Sequence, residues 1–374
     1  MIALARARRP FAAFAVAAAL AVAAAGAASA AVLGGHDTGE QEASAAVAAP
    51  VQHVFVVNLE NKGYGETFGP DSPAPYLSRE LTAQGQLLTK YYGTAHNSLP
   101  NYIAQISGQG PNPQTQGDCT VYSSFVQTGT VSPQQAVGEG CVYPERVRTV
   151  ADQLEAHGLT WHGYMEDMGT PCRHPVLNTR DETQQAEVGD QYAARHDPFV
   201  YFESITGSPS CSANVVDLAQ LTQDLAAVST TPNLSYITPN LCNDGHDSPC
   251  VDGRPGGLAS ADEWLRTWVP RILASPAYQR DGLLVVTFDE SESSAASCCG
   301  EGPAPNAALP GVYGLGGGRT GAVVLSPFVT PGSINDTPYN HYSLLRTVED
   351  LFGLPPLGYA QDAHGFGSDV FTKG

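Results

Sequence analysis

The chain has 374 residues, 42% of them hydrophobic, with 37 Asp plus Glu against 18 Lys plus Arg and a formal net charge of −19. So acidic a protein is a poor electrostatic partner for nucleic acid or for an anionic membrane surface. Any phosphate it binds must be held by local devices, such as a metal ion or a helix N-terminus.

Residues 1–30 read as a signal peptide: a basic "MIALARARRPF", an apolar "AAFAVAAALAVAAAG" and a small-residue "ASA" before Ala31. Arg8–Arg9 followed by Phe11 leaves Sec and twin-arginine export both open. Losing Arg6, Arg8 and Arg9 with this segment takes the formal charge from −19 to −22. Residues 31–50 read as a flexible leader, and 51–374 as one catalytic body. No other segment approaches the ~20 apolar residues that span a bilayer. The expected product is secreted and monomeric, with no stable membrane insertion and no nucleic-acid partner.

Eight cysteines in an exported chain predict disulfides. Proximity favours Cys119–Cys141, Cys172–Cys211 and Cys242–Cys250. Adjacent Cys298 and Cys299 form a vicinal bridge or each take another partner. A zinc cluster is disfavoured, because there is no CxxC pair.

In chain order, "HVFVVNLE" (53–60) predicts a buried parallel strand, "APYLSRELTAQG" a helix stopped by Gly85, and "QLLTKYY" a further strand. A helix starts at Ser98. "PERVRTVADQLEAHG" predicts a helix before the strand "LTWHGYME". "NVVDLAQLTQDLAAV" predicts another before "LSYITPN". "ADEWLRTWVPRILA" predicts a helix bent or ended near Pro270, ahead of "GLLVVTFDE". "TGAVVLSP" is a strand and "HYSLLRTVEDLFG" the closing helix. Strand and helix alternate throughout. This predicts α/β architecture, with a mostly parallel sheet covered on both faces and disulfide-pinned loop insertions at 109–144 and 165–212. "GLGGGRTG" precedes a strand instead of following one, so it is a glycine loop and not a dinucleotide fingerprint.

Chemistry collects at the strand ends: Glu60–Asn61 after the first, Asp244, His246 and Asp247 after "LSYITPN", and Asp289–Glu290 after "GLLVVTFDE". Asn340–His341 open the last helix. Ligands of open α/β sheets bind outside the carboxyl ends of the strands, so these groups are expected to gather there. Their mutual repulsion is relieved by a metal cation, with carboxylates and histidines as ligands. Ser98, at a helix N-terminus, meets the positive end of the helix dipole and unpaired N–H groups. That suits a nucleophile in phosphoryl transfer better than a mere cap.

The motifs "HVFVVNLENKGYGETFG", "HNSLPNYIAQISG", "PNLCNDGHD", "VVTFDES" and "NHYSLLRTVEDLFGLPPLG" resemble the phosphoesterase family of bacterial and fungal acid phosphatases and non-specific phospholipases C, within the alkaline phosphatase superfamily. The resemblance runs from Val51 to about Gly358. It implies an alkaline-phosphatase-like fold, one or two divalent metal ions (Zn, Ca, Mg or Mn) and a phosphate ester substrate. It implies that Ser98 is the phosphorylated nucleophile, that Glu60 and Asn61 bind metal, and that Asp289 and Glu290 share the metal of Ser98. Asp244, His246 and His341 are then the remaining ligands or phosphate contacts, and His96 contacts substrate or donates a proton. Phospholipase C members follow the Asp–Glu pair with a glycine-rich segment and an Asp–His–Val motif. "SESSAASCCGEGPAPN" stands here instead, which favours the compact phosphatase type. The expected function is a secreted, metal-dependent phosphomonoesterase. The alternatives are a phospholipase C or phosphodiesterase, and a non-catalytic binding protein that kept the fold.

Overall fold

The strand β1 (His53–Leu59) is buried at every position and serves two cores at once. Val54 and Val56 join one apolar cluster, Phe55, Val57 and Leu59 the other, as the two-residue period of a strand requires. The computed structural model describes residues 50–373; the predicted signal segment and residues 31–49 of the predicted leader lie outside them.

An eight-stranded sheet is built around β1 from β2 (Gln86–Leu88), β3 (Trp161–Met165), β4 (Val215–Asp217), β5 (Leu234–Thr238), β6 (Gly282–Phe288), β7 (Ala322–Leu325) and β8 (Ser333–Asn335). The spatial order is β8–β2–β7–β6–β1–β5–β3–β4. Strands β6, β1, β5, β3 and β4 are parallel; β7 runs against both β6 and β2, and β8 pairs parallel to β2. This is the predicted mostly parallel sheet, with one reversed strand.

Helices cover both faces. Helix α1 (Ser98–Ser107) and helix α4 (His341–Phe352) place Leu99, Tyr102, Ile103, Leu344 and Leu345 in the first cluster. Helix α3 (Gly257–Leu273) places Leu258, Trp264 and Leu265 in the second. Between α1 and β3 lies helix α2 (Val150–Ala156), opened by a reciprocal capping box of Thr149 and Asp152.

One local expectation is corrected. The stretch 214–228 is not one helix. Val215–Asp217 takes the sheet edge, where β-branched side chains pack, and the Asp217 side chain then caps a short helical turn by accepting from Ala219 N–H. Helix α3 ends at Leu273 with Pro270 in its last turn, as expected of a helix ended near that proline. All four disulfides form, Cys298–Cys299 as a vicinal bridge. Two of them, Cys119–Cys141 and Cys172–Cys211, pin the two insertions.

Deep in α4, Glu349 is fully buried; its Oε1 accepts from Leu357 N–H at 2.8 Å, and its Oε2 has no partner. Burial pushes its pKa up to about 8, against about 4.3 in an unfolded chain. The folded state therefore holds the proton more tightly. This contribution to stability is complete below about pH 4.3 and lost as pH rises through 8. In urea denaturation series between pH 4 and 9, Glu349→Gln is expected to flatten the decline and to be the more stable protein at pH 8.

Candidate active site

Adjacent strands deliver adjacent acids. Because β6, β1 and β5 lie side by side and parallel, the residues that follow them emerge together at the carboxyl edge. The backbone ladder extends past the strand ends: Asp289 N–H donates to Leu59 O at 2.9 Å and Glu60 N–H to Asp244 O at 2.9 Å. Asn61 adopts a left-handed conformation (φ 63°), which asparagine tolerates, and its N–H donates to Asp289 Oδ1 at 2.9 Å. The loops behind Asp289 touch closely. A Cβ on Gly93 would lie 2.6 Å from Asp289 O and 3.0 Å from Gly317 Cα, so glycine is required there.

Helix α1 then engages the acids. Its first residue, Ser98, donates from Oγ to Glu60 Oε2 at 2.8 Å; one turn on, Tyr102 OH donates to Glu60 Oε1 at 2.5 Å. The main-chain N–H of Leu99 donates to Asp118 Oδ1 at 3.0 Å, so the first turn is held by a side chain from the 109–144 insertion. Asn101 ties the preceding segment down, with Oδ1 accepting from Thr94 and Ala95 N–H, both at 2.9 Å.

The imidazole that meets the acids is His196, from the 165–212 insertion. Its Nε2 lies 3.4 Å from Glu60 Oε1, its Nδ1 lies 3.2 Å from Asp244 Oδ2, and its ring stacks on Tyr102. Glu60, His196 and Asp244 offer ligand atoms all within 4.8 Å of one another.

The electrostatics are those of an unneutralised acid cluster. Burial, and then repulsion from Asp289 and Asp244, raise Glu60 well above the usual carboxylate range. Burial does the same for Asp244 and Glu290, and pushes Asp289 up to about 6. Burial lowers His196, so its imidazole is neutral and available as a ligand. Asp244 Oδ2, Asp289 Oδ2 and both ring nitrogens of His196 are buried without a hydrogen-bond partner. Buried polar atoms left unpartnered in this way, carboxylate oxygens and imidazole nitrogens alike, are costly. A divalent cation fits them: it would satisfy the free atoms and remove the repulsion together.

Other residues expected here take different places. His246 donates its N–H to Asp244 Oδ1 at 2.7 Å, but its ring lies between Asp247 Oδ1 (2.8 Å) and Arg195 Nη2 (3.2 Å). A guanidinium only donates, so the His246 Nε2 lone pair is occupied and cannot ligate a metal. His341 is fully buried, with Nε2 2.5 Å from the Asp289 carbonyl and Nδ1 beside Tyr91 OH (3.1 Å) and Gln105 Nε2 (3.2 Å). It braces the main chain of Asp289, with no nitrogen free for a ligand. His96 is in close contact with Glu290, bonds Ser294 O at 3.0 Å through Nε2, and stacks on Tyr313. Sequence reasoning missed His196 and Asp118. The only signal for His196 was a histidine ahead of Asp197–Pro198, in a segment with neither helical nor strand period.

A profile of the Phosphoesterase family matches residues 71–355. The chain belongs to that family. An acid phosphatase of Aspergillus fumigatus is 29% identical over 81% of this chain and 55% of its own length. A probable acid phosphatase of Kluyveromyces lactis is 26% identical over 83% of this chain and 60% of its own. The chain thus spans a little over half the length of these fungal relatives. A phosphatidylinositol-3-phosphatase of Mycobacterium tuberculosis is 27% identical over 86% of this chain and 84% of its own. Among solved structures, a protein in the alkaline phosphatase superfamily from Vibrio parahaemolyticus superposes with a TM-score of 0.48 at 12% identity, over 81% of this chain and 67% of that one.

Two outcomes are expected for this family member. Substituting His196→Ala should weaken binding of Zn²⁺ or Mn²⁺ by on the order of tenfold or more, read by titration calorimetry on chelator-stripped protein. Replacing Cys242 and Cys250 together by serine opens the short loop that carries Asp244 and His246. The expected stability loss is about 2–3 kcal/mol at most. The larger change should be in metal affinity, because ligands must be held within about 0.5 Å of their working positions. A melting-temperature loss with metal affinity unchanged would overturn that account.

Proposed function

We propose that this protein is a secreted phosphoric ester hydrolase of the acid phosphatase type: a phosphomonoesterase that works through a phosphoserine at Ser98 and depends on a divalent metal. The observation that carries the reading is the Ser98 Oγ–Glu60 Oε2 bond at the start of α1, inside a cluster of buried acids with unpartnered oxygens. Membership of the Phosphoesterase family and the acid phosphatase relatives support it.

Glu60, Asn61, Ser98, Asp244, Asp289, Glu290 and His196 are the residues that would hold metal. A bound divalent ion supplies Lewis-acid stabilisation of phosphoryl oxygens and lowers the pKa of a hydroxyl beside it. The protein's own groups do the rest. Glu60 orients Ser98 Oγ and accepts its proton as the Oγ–phosphorus bond forms and the ester P–O bond breaks. The departing oxygen takes the Nε2–H proton of His96, which exchanges its bond to the Ser294 carbonyl for one to the substrate while Glu290 holds Nδ1. Water then attacks phosphorus and gives a proton back to His96, the P–Oγ bond breaks as Glu60 returns its proton to Ser98 Oγ, and inorganic phosphate leaves. The N-terminal end of α1 and its dipole oppose the negative charge that develops on the phosphoryl oxygens.

A second reading, the same chemistry on a phosphate monoester carried by a lipid headgroup, is favoured by the similarity to the mycobacterial phosphatidylinositol-3-phosphatase.

Ser98→Ala is expected to lose nearly all turnover of p-nitrophenyl phosphate, by at least about 10³-fold, while keeping its fold and its metal. Acid-quenched wild-type enzyme should carry phosphate on the peptide containing Ser98. An active Ser98→Ala variant with no trappable phosphoserine would overturn the covalent route, and full activity after exhaustive chelation would overturn the metal requirement.

A further inference from the structure

Beyond the acid cluster lies a cavity of about 620 Å³, lined by Asp118, Gln184, Gln185, Arg195, His246 and Asp247 among others. Asp118 joins it to the start of α1 through Leu99 N–H, and His246 joins it to His196, whose ring centroid is 5.9 Å away. It therefore begins where the groups that handle the phosphoryl half end. Its volume suits a small organic group, and these side chains suit a polar one.

Arg195 is the unusual member of this wall. It is 4% exposed, yet among the described residues no carboxylate lies within ion-pair distance of its guanidinium. Nη1 donates to Gln184 O at 2.9 Å and Nη2 points to His246 Nε2 at 3.2 Å. Neither partner is charged to match it, and its remaining N–H donors are left over. Buried guanidinium groups are ordinarily paired. The carboxylates on the same wall are otherwise engaged: Asp247 with His246, Asp118 with the start of α1. The Cys242–Cys250 bridge anchors the wall from one side and the 165–212 insertion supplies Arg195 from the other, so the donors are pre-set.

Resting on the phosphomonoesterase reading, we propose that this cavity receives the alcohol half of the ester. Arg195 there selects alcohols that carry a second anionic group, a carboxylate or a further phosphate. A fork of free N–H donors matches either group, through two parallel charge-assisted hydrogen bonds. The competing role for Arg195 is structural, offsetting the field of Asp118 and Asp244 through space.

The test compares kcat/KM within substrate pairs that share the same phosphoryl chemistry. 3-Phosphoglycerate against glycerol 3-phosphate reads the carboxylate. Fructose 1,6-bisphosphate against fructose 6-phosphate reads the second phosphate. The wild-type, metal-loaded protein is expected to favour at least one anion-bearing member by on the order of tenfold. Arg195→Gln should bring that ratio to about one, and Arg195→Lys should restore part of it. A wild-type ratio near one in both pairs would overturn the proposal. So would an Arg195→Gln variant that slows both members of a pair equally, which is the result a structural counter-charge gives. Turnover of p-nitrophenyl phosphate tests the phosphatase reading separately. Should that reading fail, binding of glycerate against glycerol, read by calorimetry on the wild type and on Arg195→Gln, still decides the role of Arg195. Glycerate bound by the wild type and lost in the variant supports it; equal binding to both refutes it.

Discussion

Three carboxylates buried side by side are the constraint on which this structure depends. Glu60, Asp244 and Asp289 follow three neighbouring parallel strands, and the sheet cannot form without bringing them together. Each is fully buried, each is pushed toward its neutral form, and two of them keep an oxygen with no hydrogen-bond partner. A fold selected for stability alone would not stack such groups, because burying like charges without partners costs several kcal/mol per ion. The cost is carried by two large apolar clusters on either face of the same sheet.

Helix α1 converts that liability into a defined geometry. Ser98 and Tyr102, one turn apart, occupy both oxygens of Glu60, so a single helix fixes the orientation of the central carboxylate. The helix start is itself held from outside, by Asp118 on Leu99 N–H and by Asn101 on the residues just before Ser98. His341 braces the Asp289 main chain from the opposite side. Groups that bond mainly to the backbone around the site therefore govern where the acid oxygens lie. This is why histidines at the right sequence positions turn out to be braces and not ligands.

The two insertions have a common logic. Neither has an internal period, each is closed by a disulfide, and each sends one side chain into the centre: Asp118 from the first, His196 from the second. The first holds little beyond a small antiparallel hairpin (Val126–Val131 with Gln135–Glu139) and the second only short helical turns, so cross-linking limits how far their side chains can drift. The segment 242–250 follows the same plan on a smaller scale.

Much of this was legible in the chain itself. Continuous apolar runs at 53–59 and 282–288 specify buried parallel strands, because only a strand covered on both faces tolerates apolar side chains in both directions. Acids directly after such runs must emerge at the carboxyl edge, so Glu60, Asp289 and Glu290 could be placed from sequence. Ser98 could be placed as well, since a serine ahead of Pro100 and an amphipathic run marks a helix start. Proximity along the chain favoured three of the cysteine pairs that form, and left Cys298 and Cys299 open between a vicinal bridge and other partners. What local pattern could not supply is direction across long loops. His196 and His246 stand 50 residues apart, each close to an aspartate. Only the folded chain turns the first ring toward Glu60 and locks the second against Arg195. Residue type and spacing follow from bonds along the chain. Which of two histidines keeps a free lone pair depends on what packs against each ring, and that is decided only when distant segments meet.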